Sequence, residues 1–311
     1  MIEVKSLVRN FGAIKAVDDI SFVIPKGQIL GFLGPNGAGK STTMKMLACY
    51  LQPSQGTALI EGHDIRTNSL EVRRSIGYLP ESCPLYGEMT VLEFLSFIGA
   101  VRDLKGSQLK NALMRVREIC ELKQVWTQAI DTLSKGYRQR VGFAQALIHD
   151  PPVLILDEPT DGLDPNQKFG VRKLIQEMGR SKTIILSTHI LEEVEAVCQR
   201  AIIIAQGKIM ADATPFELRE RSHLHNSVVV TFRDEKSLTL ASSNLRNLGS
   251  IQDVQLEENA PQHTLRVLSK NKSDIYSEVS GCLSNLQLQA ARMHVEKGRL
   301  DDVFREVTKL S

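Results

Sequence analysis

The stretch GFLGPNGAGKST, residues 31–42, restricts this chain more than any other segment. Its spacing matches GxxxxGK[ST] at Gly34, Gly39, Lys40 and Ser41. A strand-like apolar run, 28–33, precedes it, and a helical pattern follows Lys40. Glycines at these positions let backbone N–H groups turn inward, and the next helix points its positive end at whatever they hold. The segment therefore reads as a cradle for phosphate, built from Gly34, Pro35, Asn36, Gly37, Ala38, Gly39, Lys40, Ser41 and Thr42. In such a cradle Lys40 reaches the β- and γ-phosphates, and the Ser41 hydroxyl ligates Mg²⁺. With glycine at ordinary abundance, a chance match in a chain this long is roughly a one-in-a-hundred event.

Around the cradle, short β-branched runs alternate with helical stretches. Strands are expected at 28–33, 76–79, 153–156, 183–187 and 201–205, several of them apolar on both faces as buried parallel strands are. Helices should follow Lys40, Thr90, Lys135, Gln167 and Leu191. This alternation predicts an α/β layer on a mostly parallel sheet. The opening, 2–24, reads instead as antiparallel strands turning at Phe11-Gly12, with a second turn at 25–27. Between about 88 and 150 the strand signal fades and helical spacing dominates, as in an all-α insertion. The polar stretch RERSHLHN then marks a change. The expected organisation is a first domain over 1–220, a linker over 221–226 and a C-terminal domain over 227–311. The order βαββαβ in the last of these predicts a ferredoxin-like α+β unit.

Composition narrows the classes. Hydrophobic residues make up 42% and charged residues 24%, ordinary for a water-soluble chain. A net charge of +2 without a basic stripe argues against a nucleic-acid partner. The five cysteines form no CxxC pair, which argues against zinc and fits a reducing compartment. The N-terminus lacks the pattern of a secretory signal, and the apolar runs are of strand length, well short of the ~20 residues that span a bilayer.

The run VLILDEPT ends an apolar strand in Asp157 and Glu158. Buried carboxylates there are costly unless a cation or donor meets them. Downstream of a phosphate cradle, Asp157 is placed to hold Mg²⁺ through a water, and Glu158 to act as general base on an attacking water. Asp164 opens a turn ahead of a helix, where an N-cap role is the plainer reading. His189 follows the strand TIILST, at the carboxyl end where α/β sheets bind ligands, and is expected to contact a γ-phosphate.

With LSKGYRQR, residues 133–140, these motifs together resemble the ATP-binding cassette family. That segment is similar to the family signature LSGGQ, and Ser134 would cap a helix whose positive end faces a phosphate. The resemblance implies a P-loop NTPase (RecA-like) core with an antiparallel β-subdomain and an α-helical insertion. It further implies ATP and Mg²⁺ as ligands, and two cassettes packed head to tail, most simply as a homodimer. Ser134, Gly136 and Tyr137 would then act in trans, Asp164 would lie on the loop crossing the dimer interface, and His189 would be the switch histidine. Phe11 resembles the aromatic that stacks on adenine, and Val17 matches a position that meets the base edge. A membrane permease subunit would dock on the loop 81–89, with Cys83, Pro84, Leu85 and Tyr86 as its apolar surface, which places the chain in the cytoplasm on the inner face of the membrane. Two departures stand out: Lys135 and Tyr137 replace Gly and Gln of the signature, and Glu81, in YLPESCPLY, replaces a Gln near the metal. Glu81 adds a charge beside Asp157 and Glu158 and is expected to make turnover Mg²⁺-sensitive. YLPE and the C-terminal RLDDVFREVTK resemble ABC-2-type exporters, and among them gliding-motility and multidrug-type ATPase subunits.

Overall fold

The computed structural model describes residues 1–257 and 263–309. The chain opens with β1 (Ile2–Phe11) and β2 (Ile14–Ile24), followed by β3 (Ile29–Leu33), α1 (Lys40–Leu47), β4 (Gln55–Ile60) and β5 (His63–Asp64). Next come α2 (Ser69–Ser75), β6 (Ile76–Leu79), α3 (Val91–Val101), α4 (Gly106–Ile119) and α5 (Lys135–Leu147). The run closes with β7 (Val153–Asp157), α6 (Pro165–Gly179), β8 (Thr183–Thr188), α7 (Leu191–Val197), β9 (Arg200–Ala205) and β10 (Lys208–Ala213).

All five anticipated strands enter one six-stranded sheet, ordered β10-β9-β3-β8-β7-β6. From β9 to β6 the pairing is parallel, and β10 returns antiparallel on β9. β3, β7 and β8 are buried at every residue, which explains their unbroken apolar runs. A second sheet, β2-β1-β4-β5, is antiparallel throughout. Its inward residues share a core with the parallel sheet, where Phe22 and Phe32 meet at 5.7 Å. Each large side chain fully buried there contributes roughly 1.5–3 kcal/mol.

The insertion is helical as expected. α3 starts on a capping box, in which the Thr90 hydroxyl accepts from the Glu93 N–H and the Glu93 carboxylate accepts from the Thr90 N–H. Ser134 and Asp164 cap α5 and α6 through the Tyr137 and Gln167 N–H groups.

A second compact unit, Pro215–Lys309, begins with α8 (Pro215–Glu220). The division falls after Thr214, so α8 belongs to the second unit and not, as expected, to the first. Then come β11 (His225–Thr231), α9 (Glu235–Leu245), β12 (Ile251–Leu256), β13 (Thr264–Ser269), α10 (Tyr276–Asn285), β14 (Arg292–Lys297) and α11 (Leu300–Lys309). The strands form an antiparallel sheet ordered β12-β13-β11-β14. Val228, Val230, Leu265 and Val267 pack against Ala241, Leu245, Val279 and Leu283 of α9 and α10.

Candidate functional site

The loop between β3 and α1 supplies the floor of a cavity of about 530 Å³. Gly39 has φ of 105°, and a Cβ there would stand 2.5 Å from the Ala16 carbonyl oxygen. Gly34 could not carry a side chain either, since its Cβ would meet the Ile204 carbonyl at 2.4 Å. α1 has no side-chain cap, so its first N–H groups are left for a ligand. The Lys40 ammonium donates to the Gly34 carbonyl at 2.8 Å and lies 3.6 Å from Glu158 Oε1, with both side chains more than nine-tenths buried.

β7 and β8 deliver the remaining groups from the same end of the sheet. Asp157, 1% exposed, accepts from the Ser41 hydroxyl at 3.1 Å and the Ser187 hydroxyl at 2.7 Å. Those two donors offset the cost of burying its charge. Glu158 Oε2 lies 2.9 Å from His189 Nδ1. The carboxylate only accepts, so Nδ1 carries the proton. Glu158 itself has φ of 49°, a left-handed conformation rare for a residue with a side chain. Its N–H donates to the Ser187 carbonyl at 2.9 Å. Asn36, Gly37, Gly39, Lys40, Ser41, Thr42, Glu81, Glu158 and His189 of the expected set all line the cavity.

Val17 is a correction. Regular alternation from Ile20, Phe22 and Ile24 would turn it outward, but the register irregularity at left-handed Asp19 (φ 52°) brings it into the core, fully buried, and its neighbour Ala16 lines the cavity. Phe11 is 46% exposed, with the Arg9 guanidinium 4.6 Å from its ring centre. Gly34, Pro35 and Ala38 shape the loop from outside the cavity wall.

A separate cavity of about 500 Å³ opens at the start of α5, lined by Ser134, Gly136 and Tyr137 together with Gln124 and Gln167. Gly136 sits so close to Gln167 that a Cβ would stand 2.5 Å from its side chain. Lys135 lies 3.9 Å from Asp161. Asp161 lines the first cavity, which its motif alone does not announce. The signal for it is its place in the DEPTDGLD run. Gln139, in sequence only one letter of a motif, donates to the Pro159 carbonyl at 2.8 Å and ties α5 to the Glu158 loop.

Strands β3, β7 and β8 thus bring a lysine, a serine and two carboxylates to one opening above the sheet. That geometry defines a P-loop nucleotide-binding protein. Residues 17–161 match the family model described as "ABC transporter". The chain is 38% identical over 223 residues to the probable multidrug ABC transporter ATP-binding protein YbhF of Escherichia coli (strain K12), which covers 71% of this chain and 38% of YbhF. It therefore spans well under half of that relative. It is 31% identical to the linearmycin resistance ATP-binding protein LnrL of Bacillus subtilis (strain 168) over 259 residues, 83% of each. An alignment of that length extends beyond the first compact unit. A solved structure described as an ATP-binding subunit of an ABC transporter superposes with a TM-score of 0.65 at 31% identity, covering 71% of this chain and 92% of that one. The chain belongs to the ABC transporter family as one of its ATP-binding proteins. No helix among the described residues is long and apolar enough to cross a membrane.

Proposed function

We propose that this chain binds and hydrolyses ATP as one of two cassettes that power export through a separate membrane permease. The observation that carries this is the convergence of buried Lys40 and Glu158 with the exposed His189 on the cavity above Ser41 and Asp157. Ser41 Oγ and Asp157 form a hard-oxygen pair that suits Mg²⁺, with Asp157 acting through a water and Glu81 at the rim. When bound, the ion would offset charge on the phosphates. Lys40 would hold the terminal phosphates, Glu158 would take a proton from the attacking water, and the Glu158 contact would orient His189 toward the γ-phosphate. Phe11 is the base-stacking residue in this reading.

A second cassette, most simply another copy, would offer Ser134, Gly136 and Tyr137 to the same nucleotide, with Asp164 at the crossing loop. The exposed position of Ser134, at the edge of its own surface cavity, supports this. The first unit is the cassette and the second an accessory domain of ferredoxin-like type, without chemistry of its own. For the permease, the exposed apolar side of the 81–89 loop is Pro84 with Tyr86, the latter 54% exposed and packed on Phe94 and Phe97. Cys83 is not part of it. It lies against Gly142 and Gln145, and burial pushes its thiol up to about 12. The chain would work in the cytoplasm, held at the membrane's inner face by that partner.

Glu158→Gln tests the reading. Turnover should fall by about 10²–10⁴ while ATP binding persists. Equal, negligible rates in both proteins would instead favour a switch in which ATP only drives association.

A further inference from the structure

We infer that Glu193 is a positioning residue for hydrolysis, tying the loop that carries Glu158 to the loop that carries His189. This rests on the ATPase reading above. Glu193 stands on α7, 1% exposed, and is not part of the cavity wall. One carboxylate oxygen accepts from the Thr160 hydroxyl, two residues past Glu158. The other accepts at 2.9 Å from the Thr188 hydroxyl, one residue before His189. Both threonines are buried. Thr188 Oγ1 also accepts the Ile190 N–H at 3.0 Å, so its hydrogen is directed to Glu193 and its orientation is fixed at both ends.

The loop needs such a hold. Glu158 adopts a left-handed backbone that persists only where its surroundings over-determine it. Ser187 restrains it from β8 and Gln139 restrains Pro159 from α5. Glu193 reaches both loops at once, and so fixes the spacing between general base and histidine. A packing role alone would be served by an apolar side chain, as at its neighbour Val194. Burial pushes the Glu193 carboxyl up, the Glu158 charge adds to that, and Thr188 with Arg172 and Lys168 on α6 act against it. The position is thus costly to fill with a carboxylate, and its two hydroxyl contacts are what that carboxylate achieves.

The test uses the full chain, with ATP turnover and equilibrium binding of a fluorescent ATP analogue measured separately. In Glu193→Ala, kcat should fall at least about tenfold while analogue affinity stays within about threefold, since misplacing catalytic groups costs rate rather than binding. Thr160→Val removes one hydroxyl at constant shape and should give a smaller fall in kcat. The double variant should be no slower than Glu193→Ala alone, because the two changes break one contact. Glu193→Gln keeps an acceptor for Thr188 and offers a donor to Thr160, and should recover most of the rate. Wild-type kcat in Thr160→Val and Glu193→Ala overturns the inference, as does a loss of affinity in step with the loss of rate. Should Glu193→Ala fail to fold, a wild-type rate in Thr160→Val alone overturns it. A wild-type chain that binds ATP but never turns it over refutes the ATPase reading itself, a result visible before any variant is made.

Discussion

The proposed nucleotide chemistry rests on two helix N-termini, and they are built in opposite ways. α1 begins at Gly39 with no side-chain cap, beside the buried charges of Lys40, Asp157 and Glu158. α5 begins at Ser134, whose hydroxyl accepts the Tyr137 N–H at 3.3 Å and stays exposed at a surface cavity. The first end has its ion pair and the oxygens proposed for the metal within one chain. The second has a shape but no buried charge of its own among the described residues. In the proposed reading one chain would suffice to bind nucleotide, whereas the signature face would gain its role only against a ligand held elsewhere.

Lys40 and Ser134 break or sharpen that contrast most directly. Lys40→Ala takes the buried cation from Glu158 and leaves it the His189 contact alone, a loss of a kind that costs up to about 3–5 kcal/mol. It should abolish ATP binding in the isolated chain, read by equilibrium titration. Ser134→Ala removes one cap, typically ~1 kcal/mol, and should leave that titration unchanged. Its effect should appear as a roughly tenfold loss in turnover and in ATP-dependent dimer measured by light scattering, the size of a lost charge-directed contact. A Ser134→Ala chain that binds ATP as poorly as Lys40→Ala would show the two ends are not separate.

The cradle was legible in the sequence because its requirements are local: glycine where φ is positive or a backbone approaches, lysine and serine at fixed steps after it. The five parallel strands were legible because burial on both faces leaves continuous apolar runs. β4, β5, α2 and β10 were not anticipated, being short or half-exposed, with weak periodicity. The burial of Val17 follows from the register irregularity at Asp19, which shifts the alternation of β2 by one residue and which no motif records. Glu193 went unread, and Gln139 was read only as a letter of the signature, for a different reason. Their partners, Pro159, Thr160 and Thr188, lie 20, 33 and 5 residues away, and only the meeting of β7, β8, α5 and α7 brings them together.

The far end of the signature helix supplies a smaller test. Beyond α5, His149 Nε2 donates to the Ile76 carbonyl at 2.9 Å, pinning that end to β6, while its Nδ1 has no partner among the described residues. Burial, with Arg102 next in effect, lowers its pKa from 6.5 to about 4. The unfolded chain then binds the extra proton between those values. The stabilisation is complete above pH 6.5 and is lost as pH falls toward 4. From this group alone, urea unfolding should show a loss of roughly 2 kcal/mol between about pH 7 and about pH 5. His149→Gln should flatten that slope. If the slope survives, the anchoring of α5 by His149 is not its source.

Glu81 gives the smallest effect. It lies exposed at the rim of the first cavity, so its charge is screened by solvent and acts weakly on the oxygens of Ser41 and Asp157. Replacing it with Gln keeps the shape and removes one negative charge. The Mg²⁺ concentration for half-maximal turnover should rise by about two- to fivefold, a shift of about 0.5–1 kcal/mol in the range of exposed charge pairs. ATP affinity without the ion should strengthen slightly, because one repulsive charge is gone. A Mg²⁺ titration of turnover at fixed ATP reads the first change, and analogue binding in chelator reads the second. An unchanged titration would place Glu81 outside the metal's reach, leaving Ser41 and Asp157 as the whole of its protein shell.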